Sequence, residues 1–332
     1  MTPTQAMILA AGLGTRMRPL TLARAKPLLP VLNRPLIAHI LQHLAAHGVE
    51  RAVINAHHMP DQIEQEMARW GPPEVDIIIS RETTIRGTAG GLKKAARHFH
   101  DAPIFLVNSD SLTDADLRAA ARAHADSGRL ATMIVKPHDP AGRYRPVMVA
   151  DAGSGASPVV GIAGRSWGHG VARTFTGVHV LEAHVLDAIP SKGKSDINAD
   201  IYPRLIDENR DAVGAWMHEG WWFEAGDPSG YLALNLQMLD RTRRGCVVGP
   251  SFFVDEEAGV EHSVLGARVR LERGASIEHS VLWDGVFAHP GVSVSRCVVT
   301  DGVQLPAGSA FTSSIIRRAE GGSLTVDPLG EP

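Results

Sequence analysis

Cysteine is scarce in this chain: Cys246 and Cys297 are the two thiols in 332 residues. A disulfide framework is therefore not the basis of stability, and two reduced thiols are expected. Basic charge is not in excess either. Lys and Arg number 33 against 36 Asp and Glu, for a net charge of −3. That balance leaves no electrostatic footprint for nucleic acid or for a membrane surface. No apolar run reaches the roughly 18 residues of a membrane-spanning helix. No charged segment leads into a secretory core, so a cytoplasmic location is the expectation. Zinc-ligand spacing is missing too. The 16 histidines are scattered, and His57-His58 runs into Met59-Pro60 without a third ligand, which suits ordinary surface or core histidines. Two standard phosphate motifs are absent. There is no G-x-x-x-x-G-K-[ST], and G-x-G-x-x-G fails because Met17 holds its last place. What remains is the composition of a soluble globular protein, 44% hydrophobic and 21% charged, long enough for one large domain or two.

The chain is organised around residues 7–31. Met7, Ile8, Leu9 and Ala10 form a short apolar run that suits a buried parallel strand. The run breaks into Ala11-Gly12-Leu13-Gly14-Thr15-Arg16. Glycines beside a strand end let the backbone approach a ligand and offer it N–H groups. Arg16 adds a planar guanidinium that forks onto phosphate oxygens, and Lys26 a mobile point charge further on. Together these describe a polyphosphate site. The string closely resembles the signature of the sugar-1-phosphate nucleotidyltransferases (NDP-sugar pyrophosphorylases, including mannose-1-phosphate guanylyltransferases), G-x-G-T-R-x-x-P-L-T followed by K-P and P-V. Here the matching residues are Gly12, Gly14, Thr15, Arg16, Pro19, Leu20, Thr21, Lys26, Pro27, Pro30 and Val31. Ala25 stands where the family usually has proline.

Strand and helix patterns alternate after this loop. Residues 35–44 read as a helix stopped at Gly48, 51–55 as a strand, 60–69 as a helix and 75–79 as a strand. This alternation predicts an α/β fold with a doubly wound, mostly parallel, Rossmann-like sheet whose ligands lie beyond the strands' carboxyl ends. Gly87-Thr88 opens the next helix, with Thr88 as its cap. Gly90 and Gly91 follow in its first turn. They admit either close approach by a ligand or close helix–sheet packing. The resemblance implies that this stretch lines the nucleobase and ribose pocket. On it Ala10, Ala11, Gly12, Gly14, Thr15, Glu82, Thr88, Gly90 and Asn108 are the expected nucleotide-binding residues.

Residues 103–108 form a strand ending in Ser109-Asp110. A carboxylate at a parallel strand's carboxyl end suits Mg²⁺, which takes one or two carboxylates plus substrate phosphates. The family reads N-G-D here and its Asp holds the metal, a role carried to Asp110, with Ser109 in place of glycine. Residues 114–125 read as a helix, 130–135 and 174–181 as strands, 200–206 as a helix and 212–217 as an edge strand. The family's E-K-P, which supplies the sugar-phosphate lysine, is missing. The resemblance leaves Tyr144, Thr176, Gly177 and one of Arg165 or Arg173 to bind the sugar phosphate. Trp222-x-Glu224-x-Gly226 stands where the family has W-x-D-x-G. The second metal ligand is thus Glu224, with Asp227 as the competing choice.

From Val260 the sequence repeats every 17 residues: Val260-Glu261-His262-Ser263-Val264-Leu265 recurs at Ile277, Val294 and Phe311. A short fixed period with turn glycines predicts a solenoid. Three hexapeptides per period make it resemble a short left-handed parallel β-helix, with a packing or assembly role that includes a homo-oligomer. His262 and His279 on these coils raise an acyltransferase reading, which is the least favoured. The expected domains are residues 1–240 for catalysis, 241–318 for the β-helix and 319–332 for a flexible tail.

The resemblance implies transfer of a nucleoside monophosphate from an NTP to a sugar 1-phosphate. Arg16 and Lys26 are then the catalytic cations, and Mg²⁺ is held by Asp110 and Glu224. GTP with mannose 1-phosphate is the first expectation. UTP with an amino-sugar or muramic-type 1-phosphate is the second. A non-catalytic subunit binding a nucleotide sugar is the alternative of another class.

Overall fold

The computed structural model describes residues 2–140, 142, 144–150, 155–319 and 321–330. They fall into two compact units, residues 1–13 with 37–223 and residues 14–36 with 224–332. Among the described residues no helix is long and apolar enough to cross a membrane.

The first unit is built on a ten-stranded mixed sheet. Its strands are β1 (Gln5–Leu9), β2 (Arg51–Ala56), β3 (Asp76–Arg81), β4 (Ile104–Asn108), β5 (Ala131–Pro137), β6 (Val147–Val149), β7 (Ser157–Ile162), β8 (Arg165–Ser166), β9 (Val171–Leu181) and β10 (Val213–Met217). The order across the sheet is β8-β7-β10-β5-β9-β4-β1-β2-β3, with β6 off this path against β7 and β9. β3, β2, β1 and β4 run parallel. β1 lies between two neighbours, which is why Ala6, Met7 and Ile8 are wholly buried and the strand reads as unbroken apolar sequence. Helices α1 (Leu36–Ala46), α2 (Pro60–Trp70) and α3 (Gly87–Ala95) punctuate these strands.

Beyond β4 the sheet departs from the expected mostly parallel layout. β9 is antiparallel to both β4 and β5, and β7 is antiparallel to β8 and β10. The sheet is therefore mixed. Nor is residues 212–217 an edge strand, since β10 pairs β5 on one side and β7 on the other. An apolar run buried on both faces reads the same in either direction, so alternation alone does not reveal this switch. Helix α4 (Leu117–Ser127) starts later than expected because Asp116 is its cap, accepting from Ala119 N–H at 2.9 Å. Helix α5 (Tyr202–Glu208) follows a short π-helical stretch, Ile197–Ile201.

The second unit joins the hairpin Pro30–Val31/Arg34–Pro35, helix α6 (Pro228–Thr242) and the tail. The hairpin turns on Leu32 and Asn33, both at positive φ (47° and 65°). This is the pairing of signs a two-residue hairpin loop needs. The turn is secured by Leu32 N–H on Asn235 Oδ1 (3.0 Å) and Asn33 Nδ2 on the Leu265 carbonyl (2.6 Å). Residues 14–36 thus share a compact unit with α6 and the tail.

The tail forms three parallel ladders that advance by the sequence period, the pattern of a β-helix. Phe253, Arg270, Phe287 and Gln304 align in one, and Val260, Ile277, Val294 and Phe311 in another. The third begins at Cys246, which pairs with Ser263, so coiling starts before the first legible repeat. Inward residues such as Leu265, Leu271, Ile277, Leu282 and Val299 are buried. Cys246 is exposed, Cys297 is buried, and both are free. The expected flexible tail, 319–332, is corrected in part. Leu324–Pro328 is a strand paired antiparallel with Ser314–Arg318, covering the last coil's ladder. Residues 320, 331 and 332 lie outside the described residues.

Candidate functional site

In the first unit, the sheet register sets a row of polar residues at the strands' carboxyl ends. Leu9 pairs with Asn55 and Asn108, and Asn55 pairs with Ser80. A buried relay begins just past this row. Ala10 N–H donates to Asn55 Oδ1 (2.7 Å), and Asn55 Nδ2 donates to Glu82 Oε1 (2.8 Å). Arg86 N–H donates to Glu82 Oε2 at 3.2 Å. Glu82 is only 5% exposed, and each of its side-chain oxygens accepts one of these hydrogen bonds. Of the expected nucleotide-binding residues, Ala10 has its N–H committed to Asn55. Gly12 is exposed, and a Cβ there would meet nothing within 4 Å.

The glycines of α3 are explained by the chain itself. A Cβ on Gly87 would lie 2.3 Å from the Ser195 carbonyl oxygen, and Gly87 has φ +75°. A Cβ on Gly90 would lie 3.0 Å from Arg86 Cβ, and one on Gly91 would lie 2.5 Å from Asn55 Nδ2. Close packing accounts for all three, so the glycines by themselves give no sign of an approaching ligand. Thr88 is not the helix cap. Its hydroxyl donates to Asp196 Oδ2 (2.9 Å) and accepts from Ile197 N–H (2.8 Å), tying α3 to the π-helical stretch.

Ser109 is buried and donates to the Leu9 carbonyl at 2.7 Å, filling the family's glycine position with an internal hydrogen bond. Asp110 follows it, half-buried, in the turn after β4. On the facing strand β9 the ladder slips between Phe175 and His179. Gly177 lies in this slip at φ +89°, and a Cβ there would be 2.8 Å from Ser111 Oγ and 3.1 Å from Asn108 Cβ. The slip turns the Thr176 carbonyl out of the ladder. It accepts from Trp222 Nε1 (2.6 Å) and Ser111 Oγ (3.1 Å), while Thr176 Oγ1 donates to the Ile134 carbonyl (2.8 Å). Tyr144 meets the Trp222 ring edge-on, 5.1 Å between centroids. Asn108, Ser111, Tyr144, Thr176, Gly177 and Trp222 therefore make one cluster beside Asp110. The indole hydrogen bond of Trp222 spans 46 residues of sequence and leaves no local signal around it.

The two candidate arginines separate. Arg165 sits on β8, the sheet's edge, and its guanidinium pairs with Asp207 at 2.7 Å. Arg173 lies on β9, three residues before Thr176, with Nη1 3.5 Å from the Ala172 carbonyl.

In the second unit, Gly14 (φ +61°) caps the short helix Thr15–Met17 that carries exposed Arg16. A Cβ on Gly14 would lie 2.9 Å from Thr21 Cγ2 and 3.3 Å from Lys26 Cβ. Thr21 Oγ1 donates to the Gly14 carbonyl at 2.8 Å. Only glycine suits this backbone and this contact, and the result sets Lys26 against the turn that carries Arg16. Glu224 closes the strand Trp222–Glu224. Asp227 is engaged in capping α6, where its Oδ1 accepts from Gly230 N–H (2.8 Å) and Ser229 Oγ (2.9 Å). Among the described residues no group of three or more His, Cys, Asp or Glu is placed to cage a metal.

Comparison with known proteins gives a consistent result. Residues 5–241 match the family described as nucleotidyl transferase, and residues 241–313 match the GlmU-like C-terminal hexapeptide family. A UTP–glucose-1-phosphate uridylyltransferase of Synechocystis sp. is 34% identical over 223 residues, covering 61% of this chain and 55% of the relative. Mannose-1-phosphate guanyltransferase 2 of Candida glabrata is 32% identical over 241 residues, covering 71% and 65%. A probable mannose-1-phosphate guanylyltransferase 2 of Arabidopsis thaliana is 30% identical over 281 residues, covering 80% and 76%. The chain thus spans a little over half to about three-quarters of these relatives' lengths. The crystal structure of HddC from Yersinia pseudotuberculosis, 19% identical, matches 71% of this chain and all of its own with a TM-score of 0.60, which shows a shared fold. With most of its length matched in this way, the chain belongs to the nucleotidyl transferase family.

Proposed function

We propose that this protein transfers a nucleoside monophosphate from an NTP to a sugar 1-phosphate and releases pyrophosphate. The observation that carries this reading is the packing of Gly14 on Lys26, which holds two cations, Arg16 and Lys26, about one glycine turn. A glycine turn flanked by two cations suits a phosphate chain. A phosphate oxygen of the sugar attacks the α-phosphorus, the new P–O bond forms, and the bond to pyrophosphate breaks. The attacking oxygen is already anionic, so no side-chain nucleophile is required. Catalysis is then orientation and charge neutralisation. Arg16 meets the charge gathering on pyrophosphate, and Lys26 the α-phosphate and incoming sugar phosphate. Thr176, Gly177, Tyr144 and Arg173 serve the sugar phosphate, while Arg165 is engaged at the sheet edge.

Asp110 and Glu224 offer hard carboxylate oxygens and fit Mg²⁺, which needs few protein ligands when phosphates complete its shell. The capping work of Asp227 supports Glu224 as the second ligand. Bound there, the ion supplies charge neutralisation to the phosphates. GTP and mannose 1-phosphate are the preferred substrates, in keeping with the names of the Candida and Arabidopsis relatives. UTP with an amino-sugar or muramic-type 1-phosphate is the second reading, and the uridylyltransferase relative favours that base. A cytoplasmic setting, a left-handed hand for the coils and assembly through them belong to the same proposal. Pyrophosphate release across a panel of NTPs and sugar 1-phosphates tests it, with the guanosine–mannose pair expected to be fastest.

A further inference from the structure

The segment that bears Arg16 and Lys26 is held by the coiled tail through a fork. Arg24 Nε and Nη2 donate to Asp301 Oδ2 and Oδ1 at 3.0 and 2.6 Å, across 277 residues of sequence. The same guanidinium lies 4.8 Å from the centroid of the Trp283 ring. Each partner is itself held. Asp284 N–H donates to Asp301 Oδ1 at 3.1 Å, so the carboxylate is oriented by the preceding coil. Trp283, wholly buried, donates from Nε1 to Tyr231 OH (3.0 Å), and Tyr231 OH donates to the Pro30 carbonyl (2.6 Å). Residues 24 and 30, on either side of Lys26, are thereby fixed to one stack of coils.

The bland reading is a surface ion pair with a small share in stability. The side chains are 28% and 40% exposed, and such pairs contribute little when they only bridge a surface. Three features exceed that role. The fork is bidentate, which fixes orientation as well as distance. The guanidinium carbon also lies over the Trp283 ring, a cation–π contact that adds a second hold on the same side chain. Arg24 also stands two residues before Lys26, in a stretch with little regular structure beyond short helical turns. Such a stretch takes its path from what anchors it.

We propose that Asp301 and Trp283 are positioning residues: through Arg24 they set the path of residues 14–26, and so the placement of Arg16 and Lys26. The β-helix is then a part of the catalytic apparatus, although neither Asp301 nor Trp283 touches substrate. The effect on turnover rests on the nucleotidyl-transfer reading above, whereas the anchoring does not.

The test compares Asp301→Asn, which keeps size and loses the charge of the fork, with Asp301→Glu, which keeps the charge. Hydrogen exchange over residues 14–26 reports the anchoring, urea unfolding reports global stability, and kcat with KM for the NTP reports the consequence. Asp301→Asn should speed exchange in that segment at unchanged urea midpoint. It should also lower kcat about tenfold, the scale of a small misplacement of reacting groups, with KM nearly unmoved. Asp301→Glu should restore much of both. Unchanged exchange and unchanged kcat in Asp301→Asn would overturn the proposal, and so would a loss confined to the urea midpoint. Faster exchange in a protein whose wild type releases no pyrophosphate from any substrate pair would support the anchoring and count against nucleotidyl transfer.

Discussion

Ser109 donates its hydroxyl hydrogen to the carbonyl of Leu9 at 2.7 Å, joining the ends of two adjacent parallel strands. The side chain that replaces the family's glycine is therefore turned inward, onto the protein. Ser109→Gly should keep kcat/KM within about threefold and lose roughly 1 kcal/mol of stability, the usual worth of one internal hydrogen bond. Steady-state kinetics beside thermal melts check this. A large gain in activity would mean that the serine obstructs substrate.

Glu224 and Asp227 are separated by what Asp227 already does. Asp227→Ala removes the α6 cap and should cost about 1 kcal/mol, visible in a melt, while the Mg²⁺ dependence of activity stays as it was. Glu224→Gln should leave the melt nearly unchanged and abolish Mg²⁺-dependent turnover. The reverse pattern would transfer the ligand role to Asp227.

Gly177 holds the Thr176 carbonyl where Trp222 and Ser111 reach it. Gly177→Ala imposes a left-handed conformation on an L residue, worth about 1–2 kcal/mol, and a contact with Ser111 Oγ besides. Stability should fall by at least that much, and Trp222 fluorescence should change. A variant with wild-type fluorescence and stability would show that the slip in β9 does not depend on glycine.

Two histidines, His179 buried and His43 half-buried, make the fold sensitive to acid. Burial pushes His179 down to about 3, with its Nδ1 2.8 Å from Tyr202 OH. Burial, then the neighbouring His47, takes His43 down to about 4, against smaller opposing effects of the Ala115 carbonyl and Asp114. In the unfolded chain both protonate near 6.5. Both folded values are depressed, so their contribution is intact above pH 6.5. It is lost as pH falls toward 4 and then 3, by up to about 1.4 kcal/mol per pH unit for each histidine. Urea unfolding from pH 7.5 to 5 should show this slope. His179→Gln, which cannot titrate, should flatten it, and an unchanged slope would remove His179 from the explanation.

Local signals carried much of the structure. The apolar run of β1 is a central strand, Gly14 sits at a left-handed turn, and the repeat from Val260 sets the register of the coils. Each feature depends on residues near one another or on a fixed period. What escaped detection is non-local. The reversal of β9 leaves no trace in a strand buried on both faces. Nothing near Arg24 in sequence points to Asp301. The glycines of α3 looked open to a ligand because the residues that fill the space, Ser195 and Asn55, come from other elements. Leu324–Pro328 has the glycines and prolines of a frayed end around it, yet one neighbouring strand is enough to order it.

The measurement that bears most directly on nucleotidyl transfer is pyrophosphate release by the wild type and by Arg16→Ala, with Mg²⁺, GTP and mannose 1-phosphate and then with the other NTP–sugar pairs. The wild type should turn over at least one pair. Arg16→Ala should be slower by roughly 10²-fold, the loss of one donor to transition-state charge, while folding as the wild type does. A wild-type protein inert toward every pair, or an Arg16→Ala variant as fast as its parent, would contradict the assignment.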